Sequence, residues 1–175
     1  LKKRSVYCKG LNPVLQSITR SITTMLRFER QPSCQPNISM TVFYQSTTFL
    51  HHETGSHPES PQRLQAVMDE VAAKEIAGLT VENDPTVKIG QEIERVHSAD
   101  YLKSVQQFCV DGGGRIETDT VVCPRSFEVA QYAAGCAVKA VDQVLLGKTK
   151  RIFCAVRPPG HHALAKQAMG FCLIN

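Results

Sequence analysis

Residues 151–163 read RIFCAVRPPGHHA, and this stretch decides the fold class. Ile152 to Val156 is a short, continuous apolar run, the pattern of a buried parallel strand. It stops at Arg157-Pro158-Pro159-Gly160, where two prolines restrict the backbone and the glycine permits a sharp approach. His161 and His162 follow at once. Strict strand alternation would send neighbouring side chains to opposite faces, whereas an irregular loop lets both imidazoles converge on one point. A strand that hands polar groups to a loop at its end belongs to an α/β layered fold.

Upstream, helices and strands alternate as that fold requires. TVFY (41–44) is a short β-rich run. Ser60 is a helix cap with Pro61 at the first helical position, and Leu64, Val67, Met68, Val71 and Ala72 share one face before Gly78 ends the segment. A second helix starts from Ser98, with Asp100 in its first turn where the helix dipole favours it. The glycines of DGGGRIETDT (111–120) mark a loop. A longer helix spans about 127–146, capped by Ser126 and ended by Gly147, with Val129, Ala130, Ala133, Ala137, Val141, Val144 and Leu145 as its stripe. GFCLIN (170–175) opens another apolar segment, expected to be a buried strand.

The first forty residues differ from the rest. They hold seven of the twenty Lys and Arg residues but one of the sixteen acidic ones, leaving thirteen basic and fifteen acidic groups in residues 41–175. The net charge of +4 therefore belongs to the leading segment, and the body carries no electrostatic footprint for nucleic acid. VLQSITRSITTMLRF (14–28) is amphipathic, rich in Ser and Thr and poor in acid, which is the composition of an organellar transit peptide. A disordered extension and a segment foreign to the native coding sequence are the other readings. Residues 1–40 are expected to stand outside the core in each case. No run of eighteen apolar residues occurs, so no transmembrane helix is expected. The seven cysteines include no two within four positions, which gives no CxxC zinc knuckle. Their odd number and apolar settings point to buried, reduced thiols and a cytoplasmic location, with an organelle as the alternative if residues 1–40 are a transit peptide.

The residues of the loop leave three readings of His161 and His162 open. Histidine titrates near neutrality, so a pair can divide proton acceptance and donation. Imidazole is also a common zinc ligand. Or the pair simply packs in a turn. Among the other histidines, His57 is expected to structure its loop, and His51 and His52 to be exposed.

RPPGHHA followed by GFCLIN, with HPESPQRL (57–64), VHSADYL (96–102), PRSFEVAQYAAGCAVKAVDQVL (124–145) and RIFCAVRPPG (151–160) before it, resembles the histone deacetylase and acetylpolyamine amidohydrolase superfamily. The likeness runs over residues 41–175 in the family's order, and the Arg-Pro-Pro-Gly lead-in is similar to the class II and bacterial branches. It implies a layered parallel-sheet fold of the arginase/deacetylase type and zinc-dependent hydrolysis of acetyl amides. The substrate would be an acetylated lysine side chain or an acetylated polyamine-like molecule. By position, His161 matches the histidine that deprotonates the attacking water, and His162 the one that protonates the leaving amine. Gly170 and Phe171 match the lining of the substrate tunnel, and Arg63 matches an arginine near the acetate exit. Core packing for Phe171 and an exposed helix salt bridge for Arg63 stay as the plainer readings. The acidic residues Asp111, Glu117 and Asp119 either attract a cationic substrate or are simply solvated.

The resemblance also implies zinc ligands, an Asp-x-His motif and a further Asp, that follow the GFCLIN stretch. None is expected within these residues, and neither His97 nor Asp100 replaces a tetrahedral set. The expectation is therefore a fold truncated before its metal-ligand loops, the N-terminal half of a deacetylase-like domain. The alternative is a catalytically inactive, deacetylase-like binding module.

Overall fold

The computed structural model describes residues 41–175, so the expectations for residues 1–40 lie outside the described residues. At its centre is a three-stranded parallel sheet in the order β2-β1-β5. The strands are β1 (Thr41–Gln45), β2 (Leu79–Asn83) and β5 (Ile152–Cys154). The first strand in sequence is the middle one in space: Thr41 pairs with Leu79 on one side, and Val42 with Ile152 on the other. Phe43 stacks on Phe153 with ring centroids 5.5 Å apart, while Lys139 sits 5.7 Å over the ring of Tyr44.

Among the described residues four α-helices accompany the sheet: α1 (Pro61–Ala73), α2 (Gln91–Glu94), α3 (Ala99–Val110) and α4 (Ser126–Leu145). α3 begins as its sequence requires, with the Ser98 hydroxyl accepting the Tyr101 N–H at 3.3 Å. α4 serves two cores at once. Its residues Val129, Ala133, Cys136 and Ala140 pack with Phe43, Tyr44, Phe49, Leu64 and Met68. Phe127 and Ala130 turn to a second cluster with Tyr101, Leu102, Val105, Leu173 and Ile174. Gly135 lets the 86–87 segment lie against the helix, since a Cβ there would stand 2.3 Å from the Val87 carbonyl oxygen.

Several expectations change. α1 ends at Ala73, five residues before Gly78, and β2 begins directly after that glycine, a strand that the sequence reading did not identify. The buried arc of α4 runs through Cys136 and Ala140 instead of Ala137, and Val141, Val144 and Leu145 are exposed, because the last turn lies beyond both clusters. Ser126 is the first helical residue and not the cap; its hydroxyl accepts the Cys123 N–H at 2.7 Å. The run 111–120 contains a hairpin, β3 (Gly114–Glu117) with β4 (Thr120–Val122), joined by Thr118 and Asp119. Gly113 supplies a close approach there, because a Cβ on it would lie 2.4 Å from the Val122 oxygen. β5 is parallel to β1 as expected but is not buried: Phe153 is 58% exposed. The 170–175 segment is not a strand. Positive φ at Gly170 and Phe171 turns the chain, and Cys172, Leu173 and Ile174 enter the core as an irregular segment. Among the described residues no helix is long and apolar enough to cross a membrane.

Candidate active site

The loop after β5 carries the candidate chemistry, and both of its ends are tied down. On one side Arg157 is buried, donating from Nε and Nη2 to the two oxygens of Glu59 at 2.7 and 2.8 Å. Its Nη1 reaches the Phe49 carbonyl at 2.8 Å. The Arg157–Pro158 peptide is cis. On the other side Gly160 lies so close to the last residues that a Cβ would come 2.0 Å from the Ile174 oxygen. The turn closes when the Ala163 N–H bonds the Gly160 carbonyl at 3.0 Å.

Within this frame His161 and His162 are exposed, with ring centroids 4.2 Å apart at an interplanar angle of 58°. The structure brings two of the other expected residues, Gly170 and Phe171, near the pair. Gly170 backs His162, since a Cβ there would stand 2.8 Å from His162 Cδ2. Phe171 is half-buried, and its ring meets that of His57 edge-on at 4.6 Å. Neither wholly core nor wholly exposed, Phe171 stands as part of a wall.

Asp119 and Thr120, at the tip of the hairpin, hold that wall in place. The Gly170 N–H donates to Asp119 Oδ1 and the Phe171 N–H to Thr120 Oγ1, each at 3.1 Å. His57 adds an Nε2 contact to the Asp119 carbonyl at 3.0 Å and accepts the Glu59 N–H at 3.1 Å, so it does structure its loop.

Arg63 is exposed on α1 and lies on a different feature. It lines a cavity of about 320 Å³ with Glu59, Leu64, Val67, Phe153 and Arg157. That cavity meets the histidine loop at Arg157 and Pro159, behind its stem. Among the described residues Arg63 makes no ion pair.

His51 is exposed as expected, but His52 is not: only 1% of its surface is accessible. Its Nδ1 lies 2.6 Å from Ser126 Oγ and its Nε2 3.5 Å from Glu59 Oε2. A bare Nε2 lone pair facing a carboxylate would repel it, so Glu59 selects the tautomer protonated at Nε2, and Nδ1 accepts the Ser126 hydroxyl. The order Ser126, His52, Glu59 is that of a serine-hydrolase triad. Here the serine has no exposed surface, so the chain of bonds is internal architecture and not a second active centre. No local signal distinguishes His52 from His51, and the paired residues Glu59 and Arg157 lie 98 residues apart.

Burial pushes the His52 pKa down from 6.5 to about 4, with Glu59 opposing and Arg157 reinforcing the shift. Burial also lowers the pKa of His97, whose Nε2 accepts the Asn175 N–H at 2.8 Å while Nδ1 donates to the Leu164 carbonyl at 2.9 Å. Both rings are neutral in the fold, so below 6.5 the unfolded chain takes up protons that the folded chain refuses. Stability present above that pH should be lost progressively as pH falls toward about 4, where His52 charges in the fold as well. Urea midpoints measured across this window test the point. A flat profile would show that His52 is not buried.

Among the described residues no group of three or more His, Cys, Asp or Glu side chains converges to hold a metal ion. The described cysteines Cys109, Cys123, Cys136, Cys154 and Cys172 are all free.

Comparison with known proteins places this geometry. Residues 57–175 match the histone deacetylase domain model. An uncharacterized protein from Synechocystis is 38% identical over 140 residues, covering 78% of this chain and 46% of its own. A histone deacetylase-like amidohydrolase from Pseudomonas aeruginosa is 37% identical over 119 residues, 66% of this chain and 30% of its own. The crystal structure of the HDA15 HD domain superposes with a TM-score of 0.71 at 31% identity, over 79% of this chain and 40% of that one. The chain thus spans less than half the length of each of these proteins. Agreement of the domain model with the parallel sheet and the histidine loop places the chain in the histone deacetylase family.

Proposed function

We propose that this chain supplies the proton-transfer pair and one wall of the substrate site of a zinc-dependent hydrolase that removes acetyl groups from amines. The observation that carries the reading is the pair of exposed imidazoles 4.2 Å apart, on a loop fixed at both ends and backed by Gly170 and Phe171. Amide hydrolysis needs a stronger nucleophile than neutral water and a proton for a poor leaving group. His161 accepts the proton of the attacking water, and His162 donates one to the departing amine. The Phe171 ring offers an apolar flank to the methylenes of an acyl-lysine. The Gly170 carbonyl accepts the Cys172 thiol at 3.3 Å and keeps a second lone pair for a substrate amide N–H.

The described residues do not make a zinc site on their own, so the ligands would come from elsewhere in a protein of the relatives' length. Bound zinc lowers the pKa of water to about 7 and polarises the carbonyl. The 175-residue chain alone is expected neither to retain stoichiometric zinc nor to turn over an acetyl-lysine peptide; zinc retention together with turnover would overturn this division of labour. At the relatives' length, activity on an acetyl-lysine peptide or an acetylated polyamine should vanish in chelator and return with added zinc. A rate that survives chelation on either substrate would sink the zinc-dependent reading, and the better of the two substrates would settle the class.

A further inference from the structure

Four residues before His161, the loop is fastened by a device that the chemistry above does not use. Arg157 engages Glu59 through the planar, two-point fork that a guanidinium makes with a carboxylate, and takes the Phe49 carbonyl as well. Glu59 is held in turn. Its carbonyl accepts the Thr54 hydroxyl at 2.5 Å, its N–H donates to His57 at 3.1 Å, and His52 stands 3.5 Å from its second oxygen. His52 then contacts Ser126 on the first turn of α4 at 2.6 Å. The stem of the histidine loop is thereby joined to the short 3-10 helix Thr47–His51, to the 52–59 segment and to α4.

Stability does not account for such a cluster, because a well-packed apolar pair often serves a core as well as a buried ion pair. Direction does account for it. An apolar pair slides and rotates, whereas a forked pair fixes both distance and plane. Between Arg157 and Gly160 lie two prolines, whose φ angles are locked, so an orientation set at the arginine is carried forward along the loop. We infer that Arg157, Glu59 and His52 are positioning residues, a buried clamp that sets where His161 and His162 stand against the Gly170–Phe171 wall. The significance of that position rests on the proposed role of the two histidines.

Amide hydrogen exchange and imidazole nitrogen resonances in the 175-residue chain test the clamp. The Ala163 N–H, bonded to Gly160, reports the loop, and the Ala155 N–H, bonded to Tyr44 at 2.9 Å, reports the strand before it. Arg157→Lys keeps the charge but loses the fork, and Glu59→Gln keeps the shape but loses the charge. In each, Ala163 is expected to lose about ten- to a hundredfold protection relative to Ala155, the scale of a charged hydrogen bond. The ring resonances of His161 and His162 should move with it. Where a single substitution unfolds the chain by stranding a buried charge, Glu59→Gln with Arg157→Met removes both charges together and gives the same readout. Stationary ring resonances, or protection lost equally at Ala163 and Ala155, would overturn the clamp and leave an ordinary structural pair. No turnover enters this test. If the rings move but alanine at His161 or His162, in a protein of the relatives' length, leaves turnover unchanged, the catalytic reading fails and the clamp stands.

Discussion

Alanine at His161 or at His162, in a protein of the relatives' length, is expected to lower kcat by about 10²–10⁴-fold, the usual scale of lost general acid–base catalysis. Both side chains are exposed, so truncating either creates no core cavity, and the loss should appear without unfolding. Their rings stand 4.2 Å apart, close enough to serve a single reacting centre. The double variant should therefore cost less than the product of the singles, as expected for groups that act as a unit. Zinc content should stay near normal in all three, since the histidines are assigned to protons and not to the metal. Metal analysis beside steady-state kinetics separates the roles. Loss of zinc from a folded single variant would make that histidine a ligand and the assignment wrong.

The second large effect concerns folding. Arg157→Met alone is expected to destabilise the fold by about 3–5 kcal/mol, because it strands the buried Glu59 carboxylate without its partner. Glu59→Gln combined with Arg157→Met should recover most of that loss, since neither charge is then left buried. One cost persists in the pair: the Phe49 carbonyl loses its donor, worth about 1 kcal/mol or somewhat more. Urea denaturation of the two single variants and the double gives the coupling directly. A double variant as unstable as the worse single would show that the charges do not depend on each other.

What the sequence makes legible is what local rules control. Ser98 caps its helix and Pro61 opens another because both signals act within one turn. The strand before the histidine loop could be placed because its apolar run and its Pro-Pro-Gly stop are contiguous. β2 escaped for the opposite reason. LTVEN alternates apolar and polar over only four residues, Leu79 to Glu82, and pairing with β1 is what makes it a strand. His51 and His52 are chemically identical neighbours with opposite fates, decided by Ser126 and Glu59 elsewhere in the chain. Among the residues flanking the site, Gly170 and Phe171 were within reach of a motif. The grip of Asp119 and Thr120 on them, 51 residues away, was not. Legibility ends where a residue's environment is built by distant chain.

The placement of β1 in the middle of the sheet has a kinetic side. Thr41 meets Leu79 at a separation of 38 positions, but Val42 meets Ile152 only at 110. Closure entropy rises only slowly with loop length, yet it must be met before the long-range contacts give any return. On a ribosome, β1 and β2 can pair while α3, the hairpin and α4 are still being made. One edge of β1 then waits with unpaired hydrogen-bonding groups until residue 154 emerges. Because β5 leads straight into the histidine loop, the latest-made of these three strands is the one that delivers His161 and His162.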